Sequence, residues 1–332
     1  MTSRKRYCAD GSEVGGQQFT YLFDDIGNRK ATGGRASAVS TYTANQLNQI
    51  IWRSVPATVD VVGLANPNND VTLQAGSGTV LTASRKGEYF SGAPVVPAPL
   101  PAYPLIQAKT LFGATQTLNA GKTFVPASPE IPTYDADGNL TSDGRWTAYV
   151  WDAENRLVEM RRDTATPTGS QQKLTFEYDH QSRRIRKQFW TGNGGAPGAI
   201  VWTKQRDTLY LYDGWNLIAE LDPTALTTPW RTYAWGTDLS GTLTGAGGVG
   251  GLLWVRNFQG ATTGHQFVAY DGNGNVAALV QATTATLTAQ YEYGPFGESI
   301  RMSGALAALN SVRWSSKVVD SESGLIQRCL AR

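Results

Sequence analysis

The stretch Tyr134-Asp135-Ala136-Asp137-Gly138-Asn139-Leu140 decides the fold of this chain, because degenerate copies of it return along the 332 residues. Longer copies occupy 23–29, 151–157, 178–184 and 270–276, and a shortened copy occupies 212–217. Internal repetition predicts an architecture in which similar units stack on one another. The signature positions are Phe23, Asp24, Gly27, Asn28, Tyr134, Asp135, Gly138, Asn139, Trp151, Asp152, Asn155, Arg156, Tyr178, Asp179, Tyr212, Asp213, Tyr270, Asp271, Gly274 and Asn275.

Each copy predicts a β-hairpin. Alternating residues such as Leu174, Phe176 and Tyr178 precede the turns, and a period of two is typical of a strand with one buried face. Aspartate at the start of a turn accepts bonds from the following backbone amides, and Gly or Asn a few places on tolerates positive φ. The aromatic residue before the Asp is expected in the core. Single hairpins are marginal in water, so the repeats predict a continuous all-β sheet in which the aspartates are structural.

Composition agrees with an all-β fold. The chain has 36 Gly, 10 Trp, 14 Tyr and 10 Phe, and only 17% charged residues. A net charge of +2 argues against a nucleic-acid surface. No run of eighteen apolar residues predicts a membrane span, and no apolar segment near Met1 predicts a signal peptide. Cys8 and Cys329 lie near opposite ends and are expected to be free thiols.

The aromatic-Asp-x-x-Gly-Asn-Arg/Leu pattern resembles the YD repeat of the RHS (rearrangement hot spot) proteins, relatives of the teneurins and of the shell subunits of insecticidal toxin complexes. The segment 291–298 is similar to the box that opens the RHS-associated core, with Tyr291, Tyr293, Gly294, Pro295, Phe296 and Gly297 at the matching places. Segments 312–317 and 320–325 resemble the box that follows it. The resemblance implies repeated hairpins forming part of a spiralling YD-repeat shell, a partial β-cage.

Four regions are predicted. Residues 1–54 and 133–290 carry the YD-repeat hairpins, and 291–332 resemble a truncated RHS-associated core. Residues 55–132, which hold ten of the fifteen prolines, predict a small β-rich insertion or linker. Short strands are expected at 59–61, 71–73, 79–81 and 88–90, and the proline-rich tract 93–104 is expected to run extended.

The resemblance implies a non-enzymatic shell segment that encloses or presents a C-terminal effector in toxin delivery or cell contact. Its partners would be the rest of a longer shell or an encapsulated polypeptide, and full-length relatives would be extracellular or at the cell surface. Both ends fall inside family motifs, so we expect a fragment with unpaired strand edges and poor solubility. The alternative is a module that binds surface carbohydrate or protein through Trp190, Trp202, Trp230 and Trp235.

Catalytic, cofactor and metal patterns are weak. Gly245, Gly247 and Gly250 match Gly-x-Gly-x-x-Gly, but a further strand is expected after them instead of a helix. Asp135 and Asp271 open calcium-like loops that lack the closing Glu. We therefore predict no catalytic, cofactor or metal residue and no enzyme activity; a β-fold hydrolase finds no supporting cluster. The basic groups Arg161-Arg162 and Arg183 to Lys187 are expected at solvated edges.

Overall fold

A computed structural model describes residues 2–34, 36, 38–194 and 199–327. The predicted all-β fold of repeated hairpins is confirmed. Its sheets are antiparallel, as in the pairs with strands at Ser3–Tyr7, Ala148–Trp151 and Gly264–Tyr270, and the helical segments of the described residues are two short 3₁₀ turns, Gly260–Thr262 and Trp314–Ser316. No helix within the described ranges is long and apolar enough to cross a bilayer.

The chain divides into two compact units. Unit 1 contains Met1–Thr175 and Phe189–Gln205, and unit 2 contains Phe176–Gln188 and Arg206–Arg332. Three strands contribute residues to both units: β17 (Gln172–Tyr178), β18 (Arg184–Asn193) and β19 (Val201–Asp213). The four regions proposed from the sequence stay a prediction.

Unit 1 is built from short antiparallel sheets in which β1 to β5 follow one another in order. Further sheets have the orders β6-β10-β9, β12-β11-β7-β8 and β13-β14, and β15 pairs with β16. The strands are β1 (Ser3–Tyr7), β2 (Glu13–Phe23), β3 (Arg29–Gly33), β4 (Ser40–Ala44), β5 (Ile50–Arg53), β6 (Val61–Leu64), β7 (Asp70–Ala75), β8 (Leu81–Thr82), β9 (Ser84–Lys86), β10 (Tyr89–Gly92), β11 (Leu105–Phe112), β12 (Thr115–Lys122), β13 (Thr133–Tyr134), β14 (Leu140–Ser142), β15 (Ala148–Trp151) and β16 (Leu157–Arg162).

The proline-rich region leaves and rejoins the repeats at one point. Arg53 and Glu130 exchange both backbone hydrogen bonds, each 2.9 Å long. The buried Glu130 carboxylate also contacts the Arg53 guanidinium and lies 2.8 Å from Nε of Arg145. Burial raises the pKa of Glu130 above its ordinary value, although both arginines oppose this. The two ends of the intervening segment, 54–129, therefore meet, and we call this segment the insertion.

Inside this insertion, the four strands expected from the sequence overlap β6, β7, β8 and β10. The hairpin of β11 and β12 was not predicted. Two small apolar clusters form the interior of the insertion, one around Val71 and Leu73 and the other around Ala75 and Val96.

The insertion also packs on β2, where Gly16 has φ +73° and a Cβ would lie 2.3 Å from Cγ1 of Val62. We expect Gly16→Ala to lower the free energy of unfolding by about 2–4 kcal/mol, combining left-handed backbone strain with overpacking. Gly11 is the matched control, because its φ is +79° and nothing lies within 4 Å of its added Cβ. Gly11→Ala should cost only the backbone strain, about 1–2 kcal/mol. Equal urea midpoints for the two variants would show that the insertion does not press on β2.

Unit 2 continues the hairpin pattern. From the 206–213 part of β19, the strands pair in chain order through β20 (Asn216–Leu221), β21 (Arg231–Trp235), β22 (Leu252–Asn257), β23 (Gly264–Tyr270), β24 (Val276–Gln281), β25 (Leu287–Tyr293) and β26 (Ser299–Ser303). One face buries Leu252, Val255 and Leu279. The segment after β26 covers this face, because Leu306 and Val312 belong to the same core cluster.

Candidate functional site

The repeat turns share one hydrogen-bond pattern, seen clearly at Asp135. Its Oδ1 accepts the backbone amides of Asp137 at 3.0 Å and Asn139 at 2.8 Å, and its Oδ2 accepts Nδ2 of Asn139 at 3.1 Å. Gly138 takes the positive φ that closes the turn, +86°. Partial burial acts to raise the pKa of Asp135, but the hydrogen bonds from Asn139 and the other turn amides hold it below its ordinary value.

The other long copies repeat this lock. Each first-position Asp accepts two amides through Oδ1, and its Oδ2 accepts the side chain of the fifth residue. The fifth-residue donors are Asn28, Arg156, Arg183 and Asn275, at 3.0, 2.8, 2.7 and 2.8 Å, and the positive-φ residues are Gly27, Asn155, Ser182 and Gly274. The short copy differs, since Asp213 pairs with Asn216 across a two-residue turn.

Two further turns of this shape were not predicted as repeat turns. Asn45 accepts the amides of Leu47 and Gln49, and its own amide donates to Oε1 of Gln49 at 2.8 Å. In the box that opens at Tyr291, Gly294 replaces the Asp, and the carboxylate of Glu298 accepts the amide of Phe296 at 3.0 Å. Allowing Asn for Asp at the first position would have found the first of these turns in the sequence.

At six places, the aromatic side chain at the end of a strand donates a hydrogen bond to a backbone carbonyl of an earlier strand. In unit 1, Tyr134 Oη donates to the Ile50 carbonyl at 2.9 Å, and Trp151 Nε1 donates to the Leu140 carbonyl at 2.8 Å. In unit 2 the donor–acceptor pairs are Tyr212–Arg184, Trp235–Leu217, Tyr270–Leu252 and Tyr293–Val276, at 2.9, 2.7, 2.6 and 2.7 Å. We call these six contacts the aromatic stitches.

The stitches have a common backbone cause. Five of the acceptors, namely Ile50, Leu140, Leu217, Leu252 and Val276, lie opposite a shift of strand register. A bulge leaves one residue outside the regular ladder, and its polar backbone groups need other partners. Five of the donors are half-buried, although the sequence had placed such residues in the core. They are therefore hydrogen-bond donors as much as packing groups.

The buried stitch gives a direct test of this role. Tyr293 is 7% exposed, so Tyr293→Phe leaves the Val276 carbonyl without its donor. We expect a loss of about 1–2 kcal/mol in unfolding free energy. Tyr7→Phe is the control, since Tyr7 is 55% exposed, and it should change stability by less than about 0.5 kcal/mol. Urea denaturation followed by tryptophan fluorescence measures both; equal effects would rule out a special role for the stitch.

A buried charge network fixes the C-terminal segment of unit 2. Arg184 donates to both oxygens of Asp320, at 2.7 and 2.9 Å, and Lys187 Nζ donates to Asp320 at 3.0 Å and to Glu322 at 2.8 Å. Arg184, Lys187 and Asp320 are all buried. The expectation that this basic group forms a solvated edge is therefore wrong for Arg184 and Lys187, because β18 turns these two side chains toward the acidic segment.

A second buried carboxylate lies nearby in the same unit. Glu220 contacts the Arg231 guanidinium and the Ser311 hydroxyl, and it accepts a hydrogen bond from Tyr233 Oη at 2.8 Å. Glu220 and Glu322 both line a cavity of about 70 Å³, which has room for about two waters. Burial acts to raise the pKa values of Glu220 and Asp320, but the neighbouring cations outweigh it and lower both. A general acid needs the opposite shift, so these carboxylates act as ion-pair partners.

The patterns that suggested ligands are occupied by internal bonds. The glycine-rich match at Gly245 to Gly250 precedes strand β22, and the Asp238 carboxylate accepts the amides of Ala246 and Gly248 at 2.7 and 3.0 Å. No group of three metal-ligating side chains occurs in the described ranges. His180 and His265 are exposed. Cys8 is a free thiol, and Cys329 lies outside the described residues.

The four candidate tryptophans are half-buried and contact other side chains or backbone. Lys173 Nζ lies 4.8 Å from the Trp190 ring centroid and 5.1 Å from that of Trp202. The guanidinium of Arg206 lies 4.2 Å from the Trp230 centroid, and Trp235 forms an aromatic stitch. Trp190, Trp202 and Trp230 are therefore covered by cations of the chain itself.

We expect the charge network to make stability depend on acidity. The lowered pKa of Asp320 means that its contribution is complete above the unfolded value, about 3.9, and is lost as the pH falls below it. Asp320→Asn should lower the free energy of unfolding by about 3–5 kcal/mol at neutral pH, because it removes a carboxylate partner from two buried cations. It should also reduce the loss of stability that the wild type shows as the pH falls. Asp137→Asn, at an exposed position, is the control. Urea midpoints from about pH 6 to pH 2 measure this; parallel acid limbs for wild type and Asp320→Asn would contradict the assignment.

Together, the locked turns, the aromatic stitches and the ion-paired carboxylates define an all-β scaffold of repeated hairpins. The chain is 29% identical over 221 residues to the tRNA3(Ser)-specific nuclease WapA of Bacillus spizizenii, and 26% identical over 219 residues to the tRNA nuclease WapA of Bacillus subtilis strain 168. Each match covers 64% of this chain but only 8% of the relative.

Solved structures of TcdB2-TccC3-TEV and of TcdB2-TccC3 are similar at TM-scores of 0.42 and 0.41, with 13% identity. Each match covers 98% of this chain, but only 15% and 16% of the respective chains in the solved structures. No protein-family profile matches the chain.

Proposed function

We propose that this chain is a structural segment of an RHS-type YD-repeat shell, and that the shell encloses or presents a C-terminal effector in toxin delivery or cell contact. The observation that carries the proposal is the repetition of one locked, stitched hairpin in both units. A shell of this kind acts by exclusion, because its stitched hairpins use their polar groups in hydrogen bonds to one another.

The segment after β26 supports a role in anchoring the polypeptide that a longer protein would carry beyond it. Asp320 and Glu322 bind β18 through buried ion pairs, and Trp314 packs edge-on against Tyr293 with centroids 5.4 Å apart. Gly297 lies directly beneath this ring, since a Cβ there would be 2.7 Å from Cγ of Trp314. We infer that this segment closes one face of the sheet and fixes where the chain leaves it.

The relatives named as tRNA nucleases give the proposal its context. The matched region is a small part of each relative, and the buried carboxylates Glu220 and Asp320 of this chain are held in ion pairs. We therefore propose that any such activity belongs to a separate C-terminal effector, and that the full-length protein works outside the cell or at its surface. Its partners would be the rest of the shell and the enclosed polypeptide. A glycan-binding surface is not favoured, because cations of the chain lie over Trp190, Trp202 and Trp230, and Trp235 is held in a stitch.

The proposal predicts that the purified chain does not cleave tRNA. Incubation with total tRNA, followed by denaturing electrophoresis, should give the same pattern as buffer alone. Cleavage that is lost in Glu220→Gln or Asp320→Asn would contradict the non-enzymatic assignment.

A chimera tests whether this chain can act as part of a shell. The matching region of the Bacillus subtilis tRNA nuclease WapA is replaced with this chain, and protection of the polypeptide C-terminal to it is measured by limited trypsin digestion. We expect protection with the wild-type segment and loss of protection with the Tyr293→Phe/Asp320→Asn variant, with Tyr7→Phe/Asp137→Asn as the matched control. Equal digestion of the two variants would count against a shell role.

A further inference from the structure

Unit 2 buries more cations than carboxylates beneath the segment that follows β26. Among its described residues, the buried basic side chains are Arg184, Lys187, Arg231 and Arg313. The carboxylates that pair with them are Glu220, Asp320 and Glu322. Another buried acid, Asp238, accepts backbone amides of its own loop instead of a cation. Four cations thus stand against three carboxylates, and we call these seven side chains the charge cluster.

Arg313 is the cation that lacks a carboxylate partner within the described ranges. Its Nε donates to the Asn310 carbonyl at 2.8 Å, and its Nη2 donates to the Ala308 carbonyl at 3.1 Å and to Ser321 Oγ at 2.8 Å. All three acceptors are neutral, although Arg313 is only 2% exposed. Because a buried charge is unfavourable without an opposite charge nearby, this excess calls for an anion.

The carboxylates of the charge cluster also leave buried donors unused. Arg231 donates to Glu220 through Nη2, but its Nε and the Nε of Arg184 are buried and have no acceptor in the described part of the chain. Lys187 does not relieve the excess by losing its proton. Burial acts to lower its pKa, but Asp320 and its other neighbours outweigh burial and raise it.

The cavity of about 70 Å³ lies where these unused donors and the excess charge meet. Lys187 and Arg231 line it from the sheet. Ala308 and Ser321, which accept the two hydrogen bonds from Nη2 of Arg313, line it from the covering segment. Further hydroxyl groups come from Thr208, Tyr210 and Ser311. The cavity therefore combines cations with hydroxyl donors, which is the chemistry that an anion requires.

Arg206 connects this cavity to solvent and completes its positive charge. It lines the cavity, its side chain is 32% exposed, and its Nη2 lies 3.8 Å from the carboxylate of Glu220. An ion could therefore exchange beside Arg206 without unfolding of the sheet. Glu220 and Glu322 line the same cavity and would repel a doubly charged anion twice as strongly as a singly charged one. This favours a monovalent ion.

We propose that the cavity binds one small monovalent anion of the halide class, which balances the charge cluster. Lys187 and Arg231 attract it from the sheet, and Ser321 and the charge of Arg313 attract it from the covering segment. The bound ion thereby holds the covering segment on the sheet. The proposal does not depend on the shell function, because every group involved belongs to unit 2.

A stability titration of the full chain tests for the ion. Sodium chloride replaces sodium gluconate at constant ionic strength, so that screening is unchanged and the larger gluconate ion serves as the anion that does not fit. We expect the urea midpoint to rise with chloride and then to level off as the site saturates, because an ion that binds only the folded state stabilises it. A midpoint that is the same in both salts would overturn the proposal.

Two matched variants place the ion in this cavity. The guanidinium of Arg206 lies 4.2 Å from the Trp230 ring centroid, and that of Arg256 lies 4.7 Å from the Phe258 centroid, but only Arg206 lines the cavity. Arg206→Met should raise the chloride concentration at half-saturation about tenfold, whereas Arg256→Met should leave it unchanged. Equal chloride responses of the two variants would contradict the assignment.

Bromide gives a direct readout that does not depend on stability. Crystals of the full chain grown in sodium bromide should show an anomalous difference peak inside the cavity, within contact distance of Lys187 or Arg231. The same crystals of Arg206→Met should show a weaker peak. Water alone in the cavity, or bromide bound only at the protein surface, would overturn the proposal.

Discussion

The hydrogen bond from a Tyr or Trp side chain to the carbonyl just after the preceding turn is the interaction on which the repeated hairpins depend. At Leu140 and Val276 its geometry begins with the Asp-locked turn, which places a positive-φ residue at a fixed step and shifts the register of the two strands. The shift exposes a carbonyl, and the aromatic residue of the next copy donates to it. Turn, bulge and stitch therefore form one unit, and the neighbouring hairpin supplies the hydrogen-bond partner that this unit lacks.

This dependence explains the choice of residue at four of the signature positions, Tyr134, Trp151, Tyr212 and Tyr270. Phenylalanine would pack as well as tyrosine but would leave the carbonyl unsatisfied, and the stitch donors are all Tyr or Trp. The fifth turn residue is Asn or Arg where the first is Asp, because both can donate to its second oxygen. Where the first residue is Asn45, the partner is Gln49, whose oxygen accepts instead. In these turns, the first and fifth residues therefore form a complementary donor–acceptor pair.

The C-terminal segment is held by a different kind of force. Two cations of β18 and two carboxylates near the end of the described chain meet in a buried place, where an unpaired charge would be strongly unfavourable. Such an arrangement tolerates only one position of the segment on the sheet. Glu220, which lines the cavity in this unit, and Asp320 both have cationic partners that lower their pKa values and keep them ionised.

The sequence by itself determined the hairpins, because the groups that make each turn lie within five consecutive residues and their chemistry is local. It also indicated the insertion, through its prolines and the interruption of the repeats. Only the tertiary structure decided that Arg184 and Lys187 are buried, since their partner Asp320 lies 136 residues beyond Arg184. The same is true of the stitches between copies and of the closure at Arg53 and Glu130. Charges and polar backbone groups can be recognised in the sequence as groups that require partners. Only the folded structure shows which distant group becomes the partner of each.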